Sequence, residues 1–415
     1  MGRVNKMNIY EKELVKILSN SLKDNNEKYK LSKDINVELL FKEASTYDID
    51  SLIYYCIERE GLDLDKVKKR VITINLINIQ NNREYNYVLK QLANSGIKIL
   101  MIKGLILREY YPLKELRTMG DADILVKKED ALKVDKYFKN LNYKCDHETM
   151  DFENRYRIHN EYRKNSYINY EVHWHLINPS YFTFDIDNFE EEVWKNAIEV
   201  SDNIYKLNTE DCIVYLLLHM ATHVKYRGFG LRQLYDVILM MKKEKDNISW
   251  NSLKEKCYKY NIGIFYSGII NIIDHYFSEE IIPDEVIVNC SIKEELRDML
   301  FTNIIESGVH GGKNEIEGYE DLSNFGQDEF AYKTANKIFR VFFHRISDIS
   351  EETNKYDYAK KYKILSPVAS IIYLFKDGVF KKYGVISSFK NLRKSMKIRS
   401  RKRYLVEALE LTQIQ

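Results

Sequence analysis

The apolar positions of this chain change rhythm twice. Between residues 8 and about 80, LVKILSNSL, VELLFKEASTYDIDSLIYYCIERE and VKKRVITINLINIQ place apolar residues three and four apart, which lines one face of a helix. REYNYVLKQLANS at 82–94 keeps that rhythm and predicts a helix closed by Gly96 as a C-cap. The grammar then changes. IKILMI (97–102) is an apolar run of strand length, and KGLILREYY predicts a helix broken at Pro112. DADILV (121–126) alternates polar and apolar residues at period two, as a half-buried strand does. KEDALKVDKYFKNL is helical again, and strands are expected at 143–147, 156–162 and 167–176. From Thr209, where Asp211 and an apolar run make a helix start, helices are expected almost to the end.

Strands confined to the middle of a helical chain predict an α+β fold. The expected division is a helical segment over 1–80, a small mixed-sheet core over 81–205 and a large helical region over 206–415. The length is more than one small core organises, so two or three subdomains are expected. Composition agrees: 4 prolines and 16 glycines favour long helices over a turn-rich β architecture, and 32 tyrosines support a substantial core. Cys56, Cys145, Cys212, Cys257 and Cys290 are scattered without a CxxC pair, which argues against a disulfide framework or a cysteine zinc site. With no leader-like apolar run at the start, a reducing, cytoplasmic setting is expected. No run of about 18 uncharged apolar residues marks a membrane span.

A formal net charge of +2 excludes the whole chain as an electrostatic polyanion binder. The segment 381–403 departs from that balance, with ten Lys or Arg and no acid. Such runs are ordinarily solvated faces; contact with RNA or an anionic surface is the alternative.

The chemistry concentrates at Asp121 and Asp123. Two apart on a strand, both carboxylates project to one side, with Ala122 and Ile124 facing the core. Adjacent negative charges repel unless a cation lies between them. Mg2+ takes hard oxygen ligands, often one or two carboxylates completed by substrate phosphates. A two-ion site needs a third carboxylate, and Glu171 in INYEVHWHL is the candidate, because a solvated Glu is out of place in mid-strand. Alternation places Glu171, His173 and His175 on one face, and Trp174 on the other. A bare D-x-D also occurs by chance on exposed strands; the preceding KG turn, the apolar flanks and the later Glu favour a site.

The run IKGLILREYYPLKELRTMGDADILV resembles the signature of the uncharacterised nucleotidyltransferase family, within the DNA polymerase β-type superfamily: KG, a helix, Tyr-Pro, an Arg, and D-x-D followed by Leu-Val. Here these are Lys103, Gly104, Tyr111, Pro112, Arg117, Asp121 and Asp123. YEVHWHL resembles the family's E-x-H-W strand, and LLLHMATHVKYRGFGLRQLYDV its H-x3-H helix followed by Arg-Leu and Asp. The resemblance covers roughly 80–240. It implies Mg-dependent transfer of NMP from an NTP, with ATP the expected donor and Mn2+ a substitute ion, to an acceptor hydroxyl on a small molecule, protein or RNA. It also implies a sheet whose first strand ends in a G-S or G-G turn against the triphosphate. Here Leu105 follows Gly104, so the Gly104 amide and the Lys103 ammonium are expected to serve, with Arg117 and His173 as further nucleotide contacts. Arg117 suits a phosphate or a carboxylate partner equally.

His219 and His223, four apart on one helix face, read as half-buried histidines held in hydrogen bonds or, with Arg232 and Asp236, as a site wall, Asp236 orienting Arg232 or capping that wall. H-x3-H also permits zinc, but Met220 stands where the zinc-peptidase helix has Glu. His175 reads as structural. The segment SGVHGGKNEIEG (307–318) lacks the P-loop spacing and reads as a flexible loop. Two rivals remain: a catalytically inactive nucleotide-binding or regulatory module on the same fold, and a zinc hydrolase on His219 and His223.

Overall fold

The computed structural model describes residues 7–25, 27–146, 152, 157–226, 228–277, 280–308 and 400–414. Residues 1–313 with 405–415 form one compact unit and 314–404 a second, of which 400–404 are described. The glycine-rich segment from 309 on and the basic segment through 399 lie outside the described residues. Everything below concerns the first unit.

Helix α1 (Ile9–Asn20) starts on a capping box, in which the Asn8 side chain accepts from the Tyr10 and Glu11 amides and Glu11 accepts from the Asn8 amide. The apolar run over 37–60 divides into α2 (Val37–Ser45) and α3 (Asp50–Cys56). Between them the chain folds back, the amides of Tyr47 and Ile49 both donating to the Ala44 carbonyl. α4 (Asp65–Asn94) runs unbroken across position 80 and ends before Gly96, whose φ of +77° is the left-handed C-cap geometry expected of it. After β1 (Ile99–Met101), the expected helix before Pro112 is only one α-turn, α5 (Gly104–Leu107), tightening into a 3₁₀ turn over Arg108–Tyr110. A further 3₁₀ turn at Lys114–Leu116 leads to β2 (Ala122–Val126), α6 (Lys128–Asn140), β3 (Lys144–Cys145), β4 (His159–Arg163) and β5 (Asn169–His173). The apolar rhythm carried no expectation for α7 (Ile186–Asn196) or for the hairpin β6 (Ile198–Ser201) and β7 (Ile204–Lys206). Then follow α8 (Thr209–Tyr226), α9 (Leu231–Glu244), α10 (Trp250–Lys259), α11 (Gly263–Phe277), α12 (Asp284–Asn289) and α13 (Glu294–Ser307). Among the described residues no helix is long and apolar enough to cross a membrane.

The strands form one mixed sheet in the order β3-β4-β5-β2-β1-β7-β6, with β2–β5 and β1–β7 parallel and the other pairs antiparallel. The fold is therefore α+β. Period-two alternation gives the sheet two dry faces. Ile99, Ala122, Ile124, Val126, Tyr170 and Val172 pack with α4 and α6, where Phe138 stacks on Tyr162 with ring centroids 4.6 Å apart. Leu100, Ile102 and Leu125 join the larger core built with α1 to α3 and α7 to α13. The polar residues of β2 and β5 emerge on this second face, under the helical region.

Candidate active site

Strand register builds the site. β2 and β5 pair in parallel with Asp123 opposite Glu171 and Leu125 opposite His173; β5 and β4 pair antiparallel with His173 opposite His159. Residues opposite one another share a face, so a carboxylate row and an imidazole row lie side by side. Asp121, one residue before β2, completes the first row: the oxygens of Asp121, Asp123 and Glu171 lie within 4.8 Å of one another. The three acids picked out in the sequence are thus brought together, with Asp123 only 2% exposed.

Such a cluster raises the cost of its own ionisation. The Asp121 carboxyl is pushed up to about 7, first by the charge of Asp123, then by burial and by Glu171. Glu171 goes the other way. Burial would raise it, but the His173 hydrogen bond and the Lys103 charge outweigh burial and hold it far below the usual carboxylate range. His173 Nε2 lies 3.1 Å from Asp123 Oδ1 and 3.2 Å from Glu171 Oε2. Burial opposes protonation of His173, yet these two bonds raise its proton affinity. Three converging carboxylates whose mutual repulsion a cation would relieve are a donor set that fits a hard divalent ion.

Lys103 meets the acids instead of open solvent. Its Nζ is 2.5 Å from Asp123 Oδ1 and 3.6 Å from Glu171 Oε2. Burial alone would lower its proton affinity, and the charges of Asp123, then Tyr215, Glu171 and Asp121, together more than reverse that. Its backbone is left-handed, φ +45°, which costs a non-glycine residue about 1 kcal/mol or more. Gly104 beside it is required by contact: a Cβ there would lie 2.7 Å from Arg117 Nη1 and 2.9 Å from Met119 Sδ.

Arg117 resolves in favour of a carboxylate. Its Nε and Nη2 each donate to Asp236 at 2.8 Å, and Tyr111 donates to Asp236 Oδ1 at 2.9 Å. Asp236 therefore orients Arg117 and not Arg232, which instead donates to Asp48 Oδ2 at 3.2 Å and the Thr118 carbonyl at 3.1 Å. The reason is reach across packed elements, which residue spacing along α9 cannot express. On α8, His219 and His223 touch through Nε2 atoms 3.3 Å apart. Burial, then His223 and Lys103, lower the proton affinity of His219, which also feels the charges of Glu171 and His173. Among the described residues this pair gathers no third metal ligand. His175 Nδ1 lies 3.1 Å from Glu190 Oε2 on α7, and with Asp187 these form another group of donors within 4.8 Å of one another.

Two residues here escaped the sequence reading. His159 has its only signal in the register of β4 against β5. Tyr215, on α8, looks like any apolar-helix tyrosine, but its buried hydroxyl has no hydrogen-bond partner among the described residues and lies in the field of Lys103, Asp123 and Glu171.

The raised Asp121 carboxyl has a measurable consequence. The folded chain holds this proton more tightly than the unfolded chain, whose value is near 3.8, so ionisation of Asp121 subtracts stability as pH rises from about 4 through about 7. In metal-free protein, Asp121→Asn should match the parent's Tm at pH 4 and exceed it by a few degrees at pH 8, on the order of 2 kcal/mol. Excess Mg2+ should erase the gain. A Tm difference that does not vary with pH would refute the shift.

A family model described as "Uncharacterised nucleotidyltransferase" matches residues 33–278, more than half of the chain and all of the site residues above. No curated protein and no solved structure gives a significant match.

Proposed function

The chain belongs to the uncharacterised nucleotidyltransferase family, and from that premise we propose that it transfers the NMP group of an NTP to an acceptor hydroxyl, with Mg2+ or Mn2+ as cofactor and ATP as the expected donor. The observation that carries this reading is the convergence of Asp121, Asp123 and Glu171 on one sheet face. These three would hold the ion or ions, which when bound neutralise phosphate charge and lower the pKa of the attacking hydroxyl. The protein's own contribution is placement and fixed charge. His173 orients Asp123 and Glu171 through the bonds already described. Glu171, held far below the usual range, serves as a ligand and is a weak base. Lys103, beside Asp123, and the Gly104 amide would contact the triphosphate oxygens. Arg117 acts from behind this turn, with Nη1 against Gly104 and its other nitrogens on Asp236.

In this reading the core over 81–205 carries nucleotide and ion, and the helical region from 206 on supplies the acceptor wall, with His219 and His223 facing the charges and Arg232 and Asp236 bracing the loop before β2. The basic segment 381–403 is a contact for RNA or another anionic surface, and the setting is cytoplasmic. One observation favours the rival, an inactive nucleotide-binding or regulatory module: the Lys103 ammonium, 2.5 Å from Asp123, neutralises the acid that would otherwise call for a cation.

Calorimetry and label transfer separate the two. The transferase reading expects Mg-dependent NTP binding and EDTA-sensitive movement of label from an α-labelled NTP onto an acceptor in cell extract. Binding without any label transfer would favour the regulatory module, and no Mg–NTP binding at all would defeat both readings.

A further inference from the structure

His159, in the imidazole row beside the carboxylates, has no part in the nucleotidyl transfer proposed above. We propose that His159, Glu171 and His173 form a second cation position, suited to a borderline-soft transition ion such as Zn2+, next to the hard-oxygen position and sharing Glu171 with it. The pairing of β4 with β5 sets His159 directly opposite His173, their ring centroids 4.7 Å apart, and Glu171 lies two residues away on the same face. One donor atom from each of the three lies within 4.8 Å of the others.

The donor chemistry separates this group from its neighbour. Imidazole nitrogens favour Zn2+, Co2+, Ni2+ and Cu2+, whereas carboxylates favour Mg2+. Two His and one Glu are also a ligand set that leaves a coordination position open for a small molecule or substrate oxygen.

A second observation points to a ligand. His159 Nδ1 is buried and has no hydrogen-bond partner among the described residues, and Nε2 of His173, a residue 2% exposed, lies 3.2 Å from Glu171 Oε2, close enough for one ion to take both. A buried polar atom left unsatisfied is unfavourable and calls for a partner. Glu171 as a shared ligand couples the two positions, so the second ion would help to orient the carboxylate that serves the first.

Co2+ is the probe, because its visible absorption reports nitrogen ligation without any need for activity. Full-length, metal-stripped protein is titrated with Co2+ in excess Mg2+, which occupies the oxygen position. One equivalent should bind with visible absorption bands. Asp121→Asn should keep those bands, His159→Asn should weaken binding at least tenfold, and His219→Gln should leave it unchanged. Lack of a Co2+ equivalent, unaltered binding in His159→Asn, or loss of the bands in His219→Gln would each overturn the proposal. Pulsed EPR of the Cu2+-loaded parent requires no variant to fold: couplings from two imidazoles are expected, and fewer than two would overturn it. A parent that binds Co2+ in this way but no Mg–NTP would defeat the transfer reading and leave this one standing.

Discussion

Replacing Asp123 by asparagine should lower transfer of an α-labelled nucleotidyl group on the order of 10³-fold, equivalent to about 4 kcal/mol of transition-state stabilisation. Asp123 occupies the centre of the polar network: it receives Lys103 at 2.5 Å and His173 at 3.1 Å, and with Asp121 and Glu171 it forms the oxygen cluster. Asparagine keeps the shape and one acceptor oxygen but removes the charge, so the loss should fall on kcat and metal affinity and not on the fold. Far-UV circular dichroism should be unchanged. The measurement is single-turnover transfer at saturating Mg2+, with Mn2+ binding followed by EPR. Activity within tenfold of the parent would remove Asp123 from the catalytic site.

The second large effect lies behind the site. Arg117→Met should destabilise the fold by about 3–5 kcal/mol, because it strands the Asp236 carboxylate, 3% exposed, with Tyr111 as its remaining bonded partner among those described above. That is a large fraction of the roughly 5–15 kcal/mol by which folded proteins are stable. The double variant Arg117→Met/Asp236→Leu should recover most of the loss, since a buried pair replaced by apolar residues is often neutral, whereas a half-removed pair is not. Urea unfolding of the parent, both single variants and the double variant completes the cycle. A single-variant cost below about 1 kcal/mol would show that the pair is solvated. Because Arg117 Nη1 packs where a Gly104 Cβ would stand, the single variant should also loosen the Lys103–Gly104 turn and weaken NTP binding.

The local chemistry of the site was readable along the chain for a definite reason. DADILV alternates with the period of a strand, so the pairing of Asp121 with Asp123 on one face follows from backbone geometry alone. The same rule set Glu171 and His173 on one side of β5 and Trp174 on the other, and Gly96 marked the end of α4. These are all relations within a few residues. Relations between distant segments were not available in this way. That Glu171 stands opposite Asp123, and His159 opposite His173, depends on which strands pair and in what register. Spacing along α9 offers Arg232 as one partner for Asp236, but packing brings Arg117 there from 119 positions away. Lys103 reads as a phosphate-binding charge at a turn, and the turn's left-handed backbone directs it onto the acids. What the sequence by itself determined was therefore the α+β class, the principal strands of the core, and the residue types the chemistry needs. Only the tertiary structure decided which of those side chains meet, because charge pairing and metal-ligand geometry depend on distances of a few ångströms between elements that separation along the chain does not encode.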